Sequence, residues 1–321
     1  MFLSNVIIFL ILLLIGLVYH RLAKRYNIVD KPNHRSSHTH VTVRGGGILF
    51  PAAALFWWFS NDFQHTWMII GMIWVAAVSM LDDIYGLSGK LRMGIQFVAV
   101  TFAFMDLGLF EQVDWWALPI LYFIALGILN AINFMDGING ITGLYAAVFF
   151  GTIMAVNVYL PIFDIRLLEY ELIAILVFLI FNLRKRAIMF AGDIGSISLA
   201  FIMIYYMAQW YLVSREWTLV LLLMVYGIDS FLTLAKRLKN KEDIGEPHRT
   251  HLYQILANQA KVPHVTIGLA YALLQLGINL LFFILPQSTP SPYLASGILV
   301  GAGVLYFFGK NFVQKKYAHS S

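Results

Sequence analysis

The chain has 321 residues, 60% hydrophobic and only 12% charged, with a formal net charge of +5 and a mean hydropathy of +0.75. A soluble domain averages about 25% charged residues, so this chain has too few to cover a water-facing surface and reads as a polytopic membrane protein. The absence of cysteine excludes disulfides, thiolate nucleophiles and Cys-ligated zinc or iron–sulfur sites.

Polar and Gly/Pro clusters divide the chain into about eleven apolar segments without the period-two alternation of a membrane barrel. In order they are Phe2–His20, Ile48–Phe59, Thr66–Leu81, Met93–Phe110, Trp115–Ile132, Ile141–Leu160, Leu172–Phe181, Ile197–Val213, Trp217–Leu234, Val265–Leu285 and Tyr293–Phe308. Most approach the ~20 residues a bilayer needs. The first lacks a basic n-region and a small-residue cleavage site, which predicts a retained helix rather than a signal peptide. The expected fold is all-α, one membrane domain over residues 1–321. Alternating the loops puts 20 of the 22 Lys and Arg on one side, with Arg166 and Arg215 on the other. The positive-inside rule then places the N-terminus outside and the C-terminus in the cytoplasm. Loops 21–47 and 236–263 are the large cytoplasmic pieces, each long enough for short helices or a lid, and are read as site loops. No internal repeat is visible, which argues against a transporter built from duplicated halves.

Aspartates stand where several apolar runs end. Asp82 and Asp83 close the third segment. Neighbours on a helix point about 100° apart, so one is expected to face a reaction centre while the other pairs with Lys90 or Arg92 or caps backbone; the plainer reading is an acidic helix end in water. Next, Asn130, Asn133, Asp136 and Asn139 recur every third residue, grouping neighbours on one helical face. Gly137 and Gly140 are expected to break the helix and let backbone approach a ligand; a polar turn between two helices is the alternative.

Asp193 stands at an expected N-cap, in Ala191-Gly192-Asp193-Ile194-Gly195-Ser196. A carboxylate beside helix-start amides can also bind a metal–diphosphate. Asn182, upstream, is a nucleobase contact or a helix C-cap. Asp229 lies inside the ninth segment and needs a partner, either Lys236 or a polar cavity. In the last large loop, Glu246-Pro247-His248-Arg249-Thr250-His251 would put His248 and His251 on one face if helical. No further ligands support zinc, so phosphate or sugar contacts compete with a solvated run. The first loop, with Arg44 before Gly45–Gly47, reads as phosphate handling or as a flexible lead-in to the second helix.

Together these motifs resemble the polyprenyl-phosphate N-acetylhexosamine-1-phosphate transferase family. The first-loop pattern is met by Asp30, Pro32, Arg35, His38 and Gly45–Gly47, and the Asp-Asp pair by Asp82 and Asp83. The Asn/Asp-Gly run is met by Asn130, Asn133, Asp136, Gly137 and Gly140, and the G-D-x-G-S motif by Gly192, Asp193, Gly195 and Ser196. The histidine motif is met by His248, Arg249 and His251. The form H-R-x-H-x-Y-Q looks more like the surface-glycan and O-antigen branch than the lipid I branch of peptidoglycan synthesis. Asn139 departs from the family's usual aspartate.

The resemblance implies an enzyme of the bacterial inner membrane that transfers N-acetylhexosamine 1-phosphate from a UDP-sugar to undecaprenyl phosphate and releases UMP. Asp82 and Asp83 would be catalytic, and Asp193 would bind Mg²⁺, with Mn²⁺ as a substitute. Arg35, His38, Lys90, Arg92, Asn133, Asp136, Asn139, Asn182, His248, Arg249 and His251 would contact substrates. Membrane lipids are expected partners, a homodimer is an option, and no nucleic acid is expected. A phosphate monoester, with its second pKa near ~6, is already largely dianionic at neutral pH, so positioning should matter more than a base. The competing readings are a lipid I-type transferase and a cation transporter using the aspartates as ligands.

Overall fold

A computed structural model describes residues 2–32, 37, 39–243 and 248–317. Arg35, His38, Glu246 and Pro247 lie outside the described residues. Thirteen α-helices are present among the rest: α1 (Phe2–Arg25), α2 (Leu49–Ser60), α3 (Thr66–Tyr85), α4 (Gly89–Asp106), α5 (Leu109–Gln112), α6 (Leu118–Met135), α7 (Ile141–Val156), α8 (Ile165–Asn182), α9 (Gly192–Ser214), α10 (Met224–Lys239), α11 (Leu252–Asn258), α12 (His264–Asn279) and α13 (Pro292–Tyr317). Each of the eleven apolar segments coincides with a helix. Seven helical segments among the described residues are long and apolar enough to cross a membrane, in keeping with an all-α, multi-pass membrane protein.

The helix ends follow local chemistry. Gly86, at φ +68°, ends α3 and donates its N–H to the Asp82 carbonyl, a backbone geometry that glycine adopts freely. Ser88 and Asp164 cap α4 and α8 by accepting the Leu91 and Leu167 N–H groups. Before α10 the chain tightens into a 3-10 turn, Trp217–Leu223, which disturbs the i→i−4 ladder. Gln275 of α12 meets this disturbance: its amide donates to the Leu221 carbonyl at 2.8 Å, and its oxygen accepts from Val225 N at 3.0 Å and Tyr145 OH at 2.6 Å. One buried amide thereby ties α12 to α7 and to the lead-in of α10.

Helix α9 is the central post. Every residue from Ile194 to Met207 is buried, as expected of a helix apolar all round. In α13 only Ala295 and Lys310 are buried, so that helix lies at the periphery. Among the described residues the one β-sheet is a two-stranded ribbon in the first loop. β1 (Val29–Asp30) pairs antiparallel with β2 (Thr42–Val43), in register Val29↔Val43 and Asp30↔Thr42, and Val43 also bridges Met189.

Two polar clusters mark opposite ends of the bundle. At one end, Asp106 of α4 accepts from Tyr205 OH at 2.8 Å and pairs with His65 at 2.7 Å, while His65 stacks on Trp57. The hydrogen bond with Asp106 favours the protonated form of His65, against its partial burial. At the other end, the C-terminal ends of α3 and α6 meet the first loop, the start of α9 and the loop before α11.

Candidate active site

The glycines of the first loop are packing surfaces. Gly46 and Gly47 donate their N–H groups to the carbonyls of Phe190 and Ala191, at 2.8 and 3.0 Å. A Cβ on Gly195 would stand 2.8 Å from the Gly47 Cα, and one on Gly192 (φ +73°) would collide with the Asp83 carboxylate. The first loop is thus seated directly on the start of α9, rather than forming a flexible lead-in. The ribbon completes the seat, because Phe190 N donates to Val43 O at 2.8 Å and Arg44 N to Ile28 O at 3.2 Å.

That seat delivers Arg44 to the aspartates. Its Nε donates to Asp83 Oδ1 at 2.7 Å and its Nη2 to Asp193 Oδ1 at 3.3 Å. Burial works against the Arg44 charge, but Asp83, Asp193 and Asp30 outweigh it and hold the guanidinium more firmly protonated. Arg92, from the first turn of α4, donates to Asp82 Oδ2 at 2.6 Å and to Asp193 Oδ2 at 3.4 Å. The order Asp82–Arg92–Asp193–Arg44–Asp83 alternates in sign, as buried charges require.

The two neighbouring aspartates take different work. Asp82 also accepts the Leu87 N–H at 2.6 Å, securing the turn after α3. Asp83 accepts the backbone N–H groups of Asp193 and Ile194, at 3.0 and 3.3 Å. This corrects the expected capping: Asp193 is not an N-cap but lies within the first turn of α9, and the cap comes from α3. Of the two cations expected near the pair, Arg92 makes the contact while Lys90 is exposed.

At the end of α6 the every-third pattern splits. Asn130 turns to Gln96 and the Leu126 carbonyl. Asn133 faces α9, accepting from Ser196 Oγ at 2.8 Å. Asp136, just past the helix, accepts from Thr142 Oγ1 at 2.6 Å; burial lifts its pKa to about 6, against that hydrogen bond. The Asn139 amide donates to the carbonyls of Arg184 and Lys185, at 2.8 and 3.4 Å. Asn182 is buried, its oxygen accepting from Gly140 N at 2.6 Å and its amide donating to Met189 O at 2.8 Å. Both asparagines brace the loop between α8 and α9. Both ends of the Asn182 amide are thus engaged by backbone, and the C-cap of α8 is Leu183.

His248 and His251 share no helix face, because α11 starts only at Leu252. Their rings still lie 4.9 Å apart. Burial, with nearby His251, Arg237 and Lys310, pushes the His248 pKa down to about 4. Arg249 sits between them on the same non-helical stretch. Asp229 is paired not with Lys236 but with His251 Nδ1 at 3.0 Å, Tyr271 OH at 2.8 Å and Tyr306 OH at 2.7 Å. Tyr253 OH donates to the Phe134 carbonyl at 2.9 Å, fastening this loop to the end of α6.

The profile of glycosyl transferase family 4 matches residues 65–211. That stretch, a little under half of the chain, is similar to the family 4 transferases. A probable undecaprenyl-phosphate N-acetylglucosaminyl 1-phosphate transferase of Bacillus subtilis is 27% identical over 299 residues, covering 86% of this chain and 80% of the relative. The undecaprenyl-phosphate alpha-N-acetylglucosaminyl 1-phosphate transferase of Escherichia coli K12 is 27% identical over 298 residues, covering 83% and 80%. That of Yersinia pestis is 26% identical over 298 residues, with the same coverage. The family 4 match holds Asp82, Asp83, Arg92, Asn133, Asp136 and Asp193 but stops short of Arg44 and the histidine loop, which join the site only through folding.

The sequence points to Arg44 as part of a phosphate-handling or flexible loop, but not as the partner of Asp83 and Asp193. Its signal was adjacency to a glycine cluster, with nothing to show a partner 149 residues away. The metal question turns on the donor set. No group of three metal-ligating side chains stands ready among the described residues. Mg²⁺ is usually held by one or two carboxylates plus substrate phosphates. Asp193 suits that use: its side chain is 18% exposed, against 8% for Asp82 and 0% for Asp83, and its arginine contacts are the long ones.

Proposed function

We propose that this chain transfers N-acetylhexosamine 1-phosphate from a UDP-sugar to undecaprenyl phosphate at the cytoplasmic membrane face, releasing UMP and initiating a lipid-linked surface glycan. The observation that carries the reading is the alternating cluster of Asp82, Arg92, Asp193, Arg44 and Asp83, where helix ends meet the basic loops. The relatives named for the same transfer support the acceptor and the reaction class. Eleven crossings, an outside N-terminus, a bacterial inner-membrane location and the option of a homodimer belong to this reading.

In the reaction, an acceptor phosphate oxygen attacks the phosphorus that carries the sugar. The bond from that phosphorus to the bridging oxygen breaks, and UMP leaves with that oxygen. An acceptor that is already largely dianionic needs no strong base, so Asp82 and Asp83 act by fixing Arg92 and Arg44, whose N–H groups hold phosphate oxygens. Mg²⁺ held by Asp193 and the donor diphosphate, with Mn²⁺ as a substitute, would neutralise charge on the departing UMP. Asn133 and Asp136 line the donor side, and His248 meets its oxygens as a neutral ring. Arg249, Lys90, Arg35 and His38 complete the phosphate and sugar contacts. Asn139 contributes indirectly, by holding the Arg184–Lys185 backbone.

A cation-transport reading finds less support, since all three carboxylates of the cluster are engaged by arginine. The test is radiolabel transfer by purified protein from several UDP-N-acetylhexosamines to undecaprenyl phosphate. Labelled UMP should also exchange into UDP-sugar when lipid product and Mg²⁺ are supplied. Transfer without such exchange would count against direct UMP release, and no transfer from any donor would overturn the reading.

A further inference from the structure

A second carboxylate–histidine pair lies apart from the arginine-linked aspartates. Asp229 of α10 is fully buried. One of its oxygens accepts from Tyr271 OH; the other accepts from His251 Nδ1, Leu252 N at 3.2 Å and Tyr306 OH. The donors come from the loop before α11, from α12 and from α13, so the carboxylate is held from three sides. His251 is 2% exposed, yet its Nε2 has no hydrogen-bond partner among the described residues. Leaving a buried polar atom unmet is costly, and such an atom in a native fold calls for an explanation.

The ring nitrogens of imidazole diverge. With Nδ1 anchored on Asp229, Nε2 faces away from the carboxylate and is the ring's one remaining hydrogen-bonding atom. The neighbours on that loop belong to the donor side. The His251 ring lies 6.3 Å from the Phe134 ring, between Asn133 and Asp136 in sequence, and 4.9 Å from His248. Tyr253 ties the loop to the Phe134 carbonyl.

We propose that Asp229 is a positioning residue, which fixes the His251 ring so that Nε2 meets an oxygen of the nucleotide-sugar donor. The inference rests on the function proposed above for the identity of that donor. Carboxylate partners of this kind set the tautomer and orientation of a working histidine. Asp229 itself touches no substrate and acts through His251 alone.

A double-mutant cycle on the full-length protein tests it. Asp229→Asn and His251→Gln are each expected to lower kcat/KM by about tenfold or more, and Asp229→Asn should add less than about twofold in the His251→Gln background. Losses that multiply would overturn the proposal, because Asp229 would then act independently of His251. A His251→Gln enzyme as active as the parent would overturn it too. Tyr271→Phe and Tyr306→Phe remove other donors to Asp229 and should leave the coupling in place; coupling lost in both would assign Asp229 a general structural role. Histidine ¹⁵N spectra, assigned with His251→Gln, give a readout independent of the reaction. A proton on Nδ1 of His251 is expected, and a neutral ring protonated only on Nε2 overturns the anchoring. If the parent protein transfers no sugar phosphate, the proposed function fails while these spectra still decide the Asp229–His251 pair.

Discussion

The carboxylate of Asp83 accepts the backbone N–H of Asp193 at 3.0 Å, so the end of α3 caps the start of α9. The positive end of the α9 dipole is met by a charge from another helix. Asp193 is thereby placed by its backbone, while its own carboxylate makes long contacts to Arg44 and Arg92 and lies within hydrogen-bond reach of the Asp82 carboxylate.

Asp82→Asn and Asp83→Asn should lose activity unequally. Asp83 accepts from Arg44 and from two α9 N–H groups with its two oxygens, and an asparagine there would turn its NH2 against one of these donors, at a cost of about 1–3 kcal/mol. Asp83→Asn should therefore lower both transfer rate and thermal midpoint, whereas Asp82→Asn should lower mainly the rate. Transfer assays with thermal unfolding in detergent check this. Equal losses, both restored at higher pH, would favour a shared base over positioning.

Arg44→Lys keeps the charge but loses the fork that spans Asp83 and Asp193. One ammonium cannot reproduce two divergent N–H bonds, so kcat/KM should drop about tenfold, near the 1.4 kcal/mol of one charge-assisted hydrogen bond. A lysine enzyme as fast as the parent would show that net charge alone is needed at this position.

Gly195→Ala puts a methyl group 2.8 Å from the Gly47 Cα, where backbone must move. A loss of about 1–3 kcal/mol is expected, with activity falling alongside. Gly94, in α4 with nothing within 4 Å of an added Cβ, is the control. Gly94→Ala should hold or raise stability by up to about 1 kcal/mol. Thermal unfolding of the two variants separates steric seating from general glycine replacement.

Acid should switch the donor side off. With Asp136 raised to about 6, lowering the pH through 6 protonates it and removes a negative charge from the site, so kcat/KM should fall below pH 6. The folded protein holds this proton more tightly than the unfolded chain, so Asp136 contributes stability at low pH that is lost as the pH rises through about 6. His248, near 4, stays neutral across this range and adds nothing to that limb. The acceptor phosphate, with its second pKa near ~6, adds an acid limb of its own, so rate profiles from pH 5 to 8 should show a shallower limb in Asp136→Asn, and an unchanged limb would show that Asp136 does not contribute.

Much of the architecture was legible because long apolar runs must be helical in a bilayer, and all eleven runs are. The Asp82/Asp83 asymmetry was legible from helical geometry, including Arg92 as one partner. Tertiary relationships were not. Asn139 and Asn182 read as ligand contacts because polar residues in a turn look free, yet they satisfy backbone groups of a loop more than 40 residues away in sequence or, for Met189, seven. His248 and His251 come together through an irregular stretch with no period to read. The partners of Asp229 come from tyrosines on two later helices that look apolar and lipid-facing in sequence.

The contact of Gly47 with Gly195 also sets an order of events during synthesis. The first loop reaches its seat only after α9 has left the ribosome, about 150 residues later, which at ordinary elongation rates is roughly 7–30 s. Until then Arg44 has neither of its aspartates from α3 and α9 in place together. A nascent chain halted before α9 would carry the early helices with no assembled charge cluster, so the cluster completes late in biogenesis.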